Sequence, residues 1–208
     1  MKKQIIAATA AGALAVTGGL AVQPAAAAGD KSLATVLTSD KNKFDKNGAD
    51  FDITTEAVLA VLAAKPDSAV KVLTDGSVRL TAFAPTDQAF RLLVEDLTGK
   101  TVKSEKKVFA AVAGLGIDTV ETVLLYHVVP GATITGKKAA MSNGTKLTTA
   151  QGGKLTVLVK KNAHSNVVIK LRDQDKNDAN ATVTAADINK GNKQIAHGIN
   201  RVLRPLDL

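Results

Sequence analysis

Residues 80–90, LTAFAPTDQAF, end one element and begin another with no loop between them. Leu80 to Ala84 is apolar, short and bounded, the pattern of a buried strand. Pro85 has no N–H to give a ladder and stops that strand. The Thr86 hydroxyl can cap a helix, and Asp87 suits the positive end of the helix dipole. Phe90, Leu93, Val94 and Leu97 then follow at i, i+3, i+4 and i+7, one stripe facing a core. Any fold for this chain must join a buried strand to an amphipathic helix through a single proline corner.

The rest of the first half reads as helical. Val58, Leu59, Val61 and Leu62 predict a helix over 54–65, with Asp52 available as its cap and Pro66 as its end. Val70 to Leu73 and Val78 to Ala84 flank Asp75-Gly76 and are expected to pair as a hairpin or as neighbouring strands. Ser104 is placed to cap a helix running to Ala113. Asp118 and Glu121 have the spacing of a capping box for a helix through Val128, closed by Pro130-Gly131. Beyond Gly131 the runs 146–149, 154–161, 166–172, 182–188 and 198–205 are short and β-branched, and Asn143-Gly144 and Gly152-Gly153 mark turns. Helices first and strands after predict an α+β domain, with helices mostly in the first half packed on a sheet built largely from the second.

The first 28 residues read as a secretory signal peptide of bacterial type. Lys2 and Lys3 precede an uncharged apolar stretch from Ile5 to Val22, and Ala25 to Ala28 supply a small-residue cleavage site. Residues 29–208 are then the working domain, secreted to the extracellular side or held at the cell surface, with a loose leader expected over 29–39. No later segment approaches the ~20 apolar residues that cross a bilayer. The chain has no cysteine, which excludes thiol catalysis and thiolate metal sites. A domain of about 180 residues needs no disulfide staples, since it buries roughly 70% of its unfolded surface. The net charge is +8, two units of which belong to Lys2 and Lys3. The lysines are spread along the sequence and aromatic residues are 3% of it, so a solvated surface or attraction to acidic wall polymers is expected, and no nucleic-acid partner.

Three stretches, LTAFAPTDQAF (80–90), LLYHVVPG (124–131) and IAHGINRVLRP (195–205), stand in an order that resembles the fasciclin domain family over residues 32–206. The resemblance implies a single α+β wedge. It also implies an extracellular adhesion or binding module for a cell-surface, cell-wall or matrix partner, without a cofactor and without catalysis. It marks Tyr126 and His127 as candidate partner-binding residues, because the Tyr-His segment of relatives has been proposed as an adhesive determinant. Pro85, Thr86, Asp87, His197 and Asn200 are carried over as structural motif residues. The chain departs from the family where Lys193 and Gln194 replace Asn-Gly, and where Asn200 replaces an Asp.

The residues offer little else. His127, His164 and His197 lack the i, i+4 spacing of a helical metal pair. DQDKND (173–178) has acids at alternate positions but not the Gly and Glu of an EF-hand loop. It reads as a hydrophilic hairpin loop, with loop-bound calcium left open. No nucleophile elbow or phosphate-binding glycine loop occurs. A small-molecule carrier or enzyme using an apolar pocket is the alternative, and a structural matrix component is a third.

Overall fold

The computed structural model describes residues 28–40 and 44–206. The signal peptide expected over 1–28 lies outside the described residues, apart from Ala28. The chain runs through α1 (Leu33–Leu37), a 3-10 turn at Thr38–Asp40, α2 (Asp52–Ala64), a 3-10 segment at Ala69–Thr74 and β1 (Leu80–Pro85). Helices α3 (Asp87–Thr98), α4 (Glu105–Ala113) and α5 (Ile117–Tyr126) follow, then β2 (Val128–Pro130) and α6 (Gly136–Ala140). Strands β3 (Lys146–Thr148), β4 (Lys154–Lys161), β5 (Val167–Arg172), β6 (Ala181–Ile188) and β7 (Gln194–Ile199) complete it. Among the described residues no single helix is long and apolar enough to cross a membrane.

One seven-stranded sheet is ordered β2-β1-β7-β6-β5-β4-β3, antiparallel except for the β1–β7 pair. Both faces of β1 are covered, which is why its sequence does not alternate with polar residues. Leu80 and Ala82 face the core made with α2, α3, α4 and α5. Phe83 faces a second core, enclosed by the curved sheet with Leu155, Val157, Leu171 and Ile199. Strand β4 has only one buried face, so Leu155 and Val157 alternate with exposed or half-buried neighbours. Thr86 caps α3 as expected, accepting the Ala89 N–H at 3.3 Å, and Gly99 ends the helix at φ 67°.

Several local expectations are corrected. Residues 70–73 are not a strand: Ser68 caps a 3-10 segment by accepting the Val70 N–H, and Val70 and Leu73, three apart, share its buried face. Asp52 does not cap α2 but is its first residue, preceded by Phe51, and the Ile53 N–H is taken by Asp87 of α3. Asp118 and Glu121 form no capping box, because both turn to Lys65 and Gly116 occupies the cap at φ 89°. Helix α5 stops at Tyr126, and Val128 belongs to β2, drawn into the ladder by β1. The last strand covers 194–199 rather than 198–205. The stretch from 29 is docked, with Gly29 bridged to Asn192 and Leu33 2% exposed.

Candidate functional site

The three motif stretches come together as adjacent strands. Strand β1 is flanked by β2 on one side and β7 on the other, so all three contribute to one junction beside α5. Pro85 is the last residue of β1, opposite Ile199, and its carbonyl accepts the Thr54 hydroxyl at 2.7 Å. Thr86 donates its N–H to the Ile199 carbonyl, and Asp87 is fully buried. His197 lies opposite Phe83, with ring centroids 5.8 Å apart. Its Nε2 donates to the Ile134 carbonyl at 2.8 Å, while Nδ1 accepts the Asp187 N–H, and burial holds its pKa below the usual range.

The departures from the family pattern are all used. The Asn200 side-chain oxygen accepts the Thr182 N–H at 2.7 Å, a task that an amide performs as a carboxylate would, without charge. Gln194 is fully buried; it accepts the Leu33 N–H and donates to the carbonyls of Val72 and Asp75, fastening α1 and the 3-10 segment to β7. Lys193 pairs with Asp30 at 2.7 Å.

Tyr126 and His127 sit at the end of α5 with no surface to offer, at 0% and 4% exposure. The Tyr126 hydroxyl donates to the Lys154 carbonyl at 2.9 Å, and burial drives its pKa upward. His127 accepts the Leu203 N–H on Nε2 at 2.9 Å, so Nδ1 carries the proton and donates to the Val123 carbonyl at 2.7 Å. Its backbone carbonyl accepts the Phe83 N–H. Burial lowers its pKa to about 4, so the ring is neutral near neutral pH. One residue thus ties α5, β1 and the segment after β7, the strand through its backbone and the others through its ring.

The 173–178 segment is a hydrophilic β5–β6 connection with Gln174, Lys176 and Asn177 exposed, but its acids are drawn inward. Arg204 reaches into it, pairing with Asp175 at 3.3 Å and with Asp96 at 2.7 Å, with Asp178 at 3.7 Å. Asp173 accepts the Arg204 N–H, and burial raises its pKa to about 6. The acids that resemble a cation loop in sequence are gathered around a cation of the protein itself.

Two further features come from the tertiary structure. Cross-strand register puts Lys146, Lys154, Lys160, Lys170 and Arg172 on the outer face of the β3–β4–β5 ribbon, among Thr148, Thr156, Leu158 and Val168, with Thr182 of β6 beside Lys170. None of these cations has an ion-pair partner among the described residues. The alternating residues of β4 and β5 carry the signal for this face, but it is invisible until the strands are paired. Between the sheet and α2 lies an apolar cavity of about 180 Å³, left open because Ala82, Ala84 and Ala196 are small. His127 and Thr54 line it, with their polar atoms already committed.

A family model for the fasciclin domain matches residues 54–205. Among solved structures, a FAS1 domain pair from the insect cell adhesion molecule fasciclin I is similar, with a TM-score of 0.48 and 21% identity. That match covers 76% of this chain, which spans 46% of the other. No curated protein matches.

Proposed function

The chain belongs to the fasciclin domain family, and from that premise we propose that it is an extracellular binding module for an acidic cell-wall or matrix polymer, held on the outer face of the β3–β4–β5 ribbon. Fasciclin domains are often adhesion or binding modules and are generally non-enzymatic. The observation that carries the reading is the ribbon's five cations, unpaired among the described residues and set among Thr148, Thr156 and the half-buried Leu158 and Val168. Such a face attracts repeated negative charges and offers hydroxyls for hydrogen bonds to a polysaccharide or polyol phosphate chain. With few aromatic residues to stack bases, it suits an acidic polymer better than a nucleic acid. Export through the leader places the module where such polymers are.

In this reading Tyr126 and His127 act from beneath. Tyr126 holds the Lys154 carbonyl from the buried side, and His127 anchors the α5 end that carries Tyr126. Their part in adhesion is to position the face rather than to touch the partner.

The test compares two variants of equal net charge. One replaces Lys154, Lys160, Lys170 and Arg172 with Gln; the other replaces exposed Lys71, Lys100, Lys106 and Lys107, away from the ribbon. Binding to isolated cell wall and to purified acidic polymer is measured across a salt series. Loss confined to the ribbon variant supports the proposal. Equal loss in both reduces the interaction to net charge, and tighter binding to single-stranded DNA overturns the choice of partner.

A second reading has its own observation. The apolar cavity is comparable to the ~150 Å³ engineered cavities that take up benzene, which favours carriage of a small apolar molecule. Uptake of benzene or indole, measured by calorimetry and abolished by filling the cavity, would support it.

A further inference from the structure

Three helices begin at one place, each on an acid: Asp52 opens α2, Asp87 opens α3 and Glu105 opens α4. The loop before α2 adds Asp45 and Asp50. Carboxylate oxygens of Asp45, Asp50 and Asp52 lie within 4.8 Å of one another, as do those of Asp50, Asp87 and Glu105. The loop is pinned there, because the carbonyls of Gly48 and Asp50 accept the N–H groups of Gln88 and Asp87.

The acids are not equally served. Glu105 is satisfied, with one oxygen 2.6 Å from Arg91 and the other accepting the Asp45 N–H. Asp87 spends one oxygen on the Ile53 N–H at 2.9 Å. Its other oxygen, and one each of Asp50 and Asp52, are buried with no N–H or O–H of another residue facing them; the Asp50 and Asp87 carboxyls lie against each other and can share a proton, which leaves the Asp52 oxygen without a partner. Asp52 stands out: it is 3% exposed, has neither a hydrogen bond nor an ion pair on its carboxylate among the described residues, and points into the cluster. Orphaned buried carboxylate oxygens are costly unless something unseen completes them.

The charge does not balance either. With Asp87 pushed up to about 8 and so protonated near neutral pH, four carboxylates face Arg91 and three helix N-termini worth about half a unit each, which leaves about one and a half negative charges uncompensated among the described residues. Burial, with Asp50 next to it, raises the Asp52 pKa to about 6, and burial also holds Asp87 well above the usual carboxylate range. The other acid group in the molecule has Arg204 at its centre. At this one Arg91 is taken by Glu105, and among the described residues no basic side chain forms an ion pair with Asp45, Asp50 or Asp52.

We propose that Asp45, Asp50 and Asp52 bind one calcium ion, with water completing its shell. Calcium suits an all-oxygen, multiply charged site built partly from a loop, and oxygens that all lie within 4.8 Å of one another are close enough for one ion to reach each at about 2.4 Å. Magnesium demands a tighter octahedron at about 2.1 Å. Asp45 is exposed, so the site meets solvent on that side. Once bound, the ion fastens the loop to the start of α2.

The experiment uses the full chain, stripped with chelator, and follows thermal unfolding and binding heat with calcium, magnesium or sodium at matched ionic strength. Millimolar calcium is expected to raise Tm by about 5–10 °C, saturably, and magnesium by clearly less. Asp50→Asn should raise Tm without calcium, since one repelling charge is gone, and should lose the response. Asp45→Asn lies at the surface, folds regardless, and should weaken calcium binding about tenfold or more. It carries the test if Asp50→Asn does not fold. No calcium-dependent shift or heat, an equal response to magnesium, or a response untouched by both variants would each overturn the proposal.

Discussion

His127 makes stability depend on pH in a way that can be calculated and isolated. In the unfolded chain its imidazole titrates near 6.5, and in the folded protein near 4, because burial penalises the charged ring. The folded-state pKa is depressed, so protonation favours unfolding. Above about pH 6.5 the ring is neutral in both states and its full contribution is present. As pH falls from about 6.5 to about 4, only the unfolded chain takes up the proton, and stability drops by about 1.4 kcal/mol per pH unit, roughly 3 kcal/mol in total. Below that window the loss is complete and the dependence flattens. Other groups titrate in the same range, His197 in the same direction and Asp173 in the opposite one. A difference measurement removes them. His127→Gln keeps an oxygen for the Leu203 N–H but cannot titrate. Urea unfolding of both proteins, at about pH 7.5 and about pH 4.5, should show the variant's deficit shrinking by about 2.5 kcal/mol at the lower pH. A deficit independent of pH would refute the reasoning, since His127 would then titrate alike in folded and unfolded chains.

Replacing Arg204 with Met leaves Asp175 and Asp178 buried without their cation, so urea denaturation at neutral pH should show a loss of about 3–5 kcal/mol. Tyr126→Phe keeps the packing and removes only the bond to the Lys154 carbonyl; the expected cost by the same assay is about 1–2 kcal/mol. Ala84→Val fills part of the apolar cavity and should stabilise by about 1 kcal/mol, a rise of about 2–4 °C in Tm by calorimetry. A fall in Tm would show that the space beside Ala84 cannot accept two more carbons.

What the sequence determined by itself is what neighbouring residues decide among themselves. The proline corner at 85 reads directly, because the strand stop, the cap and the apolar stripe of α3 are signals a few residues long. Alternation in 154–161 and 167–172 likewise declares two strands with one buried face. The α+β class and the family follow from such stretches. Tertiary structure decided wherever a partner lay far along the chain. Asp52 and Asp118 have the look of caps, but Asp87 claims the start of α2 and Lys65 draws Asp118 away. Val128 continues the helical pattern of α5 yet joins β1, because ladder hydrogen bonds outweigh a weak local preference. The acids of 173–178 read as a solvated loop until Arg204, some thirty residues on, buries them. Five cations scattered through the sequence become one face only when the β3–β4–β5 register is set, since side chains on paired strands share a face by register and not by proximity in the chain. Asp45, Asp50, Asp52, Asp87 and Glu105 span sixty residues and meet because three helices start at one point. Local propensity is written into short stretches of chain, whereas charge clustering is a sum over distant groups that only the packed molecule performs.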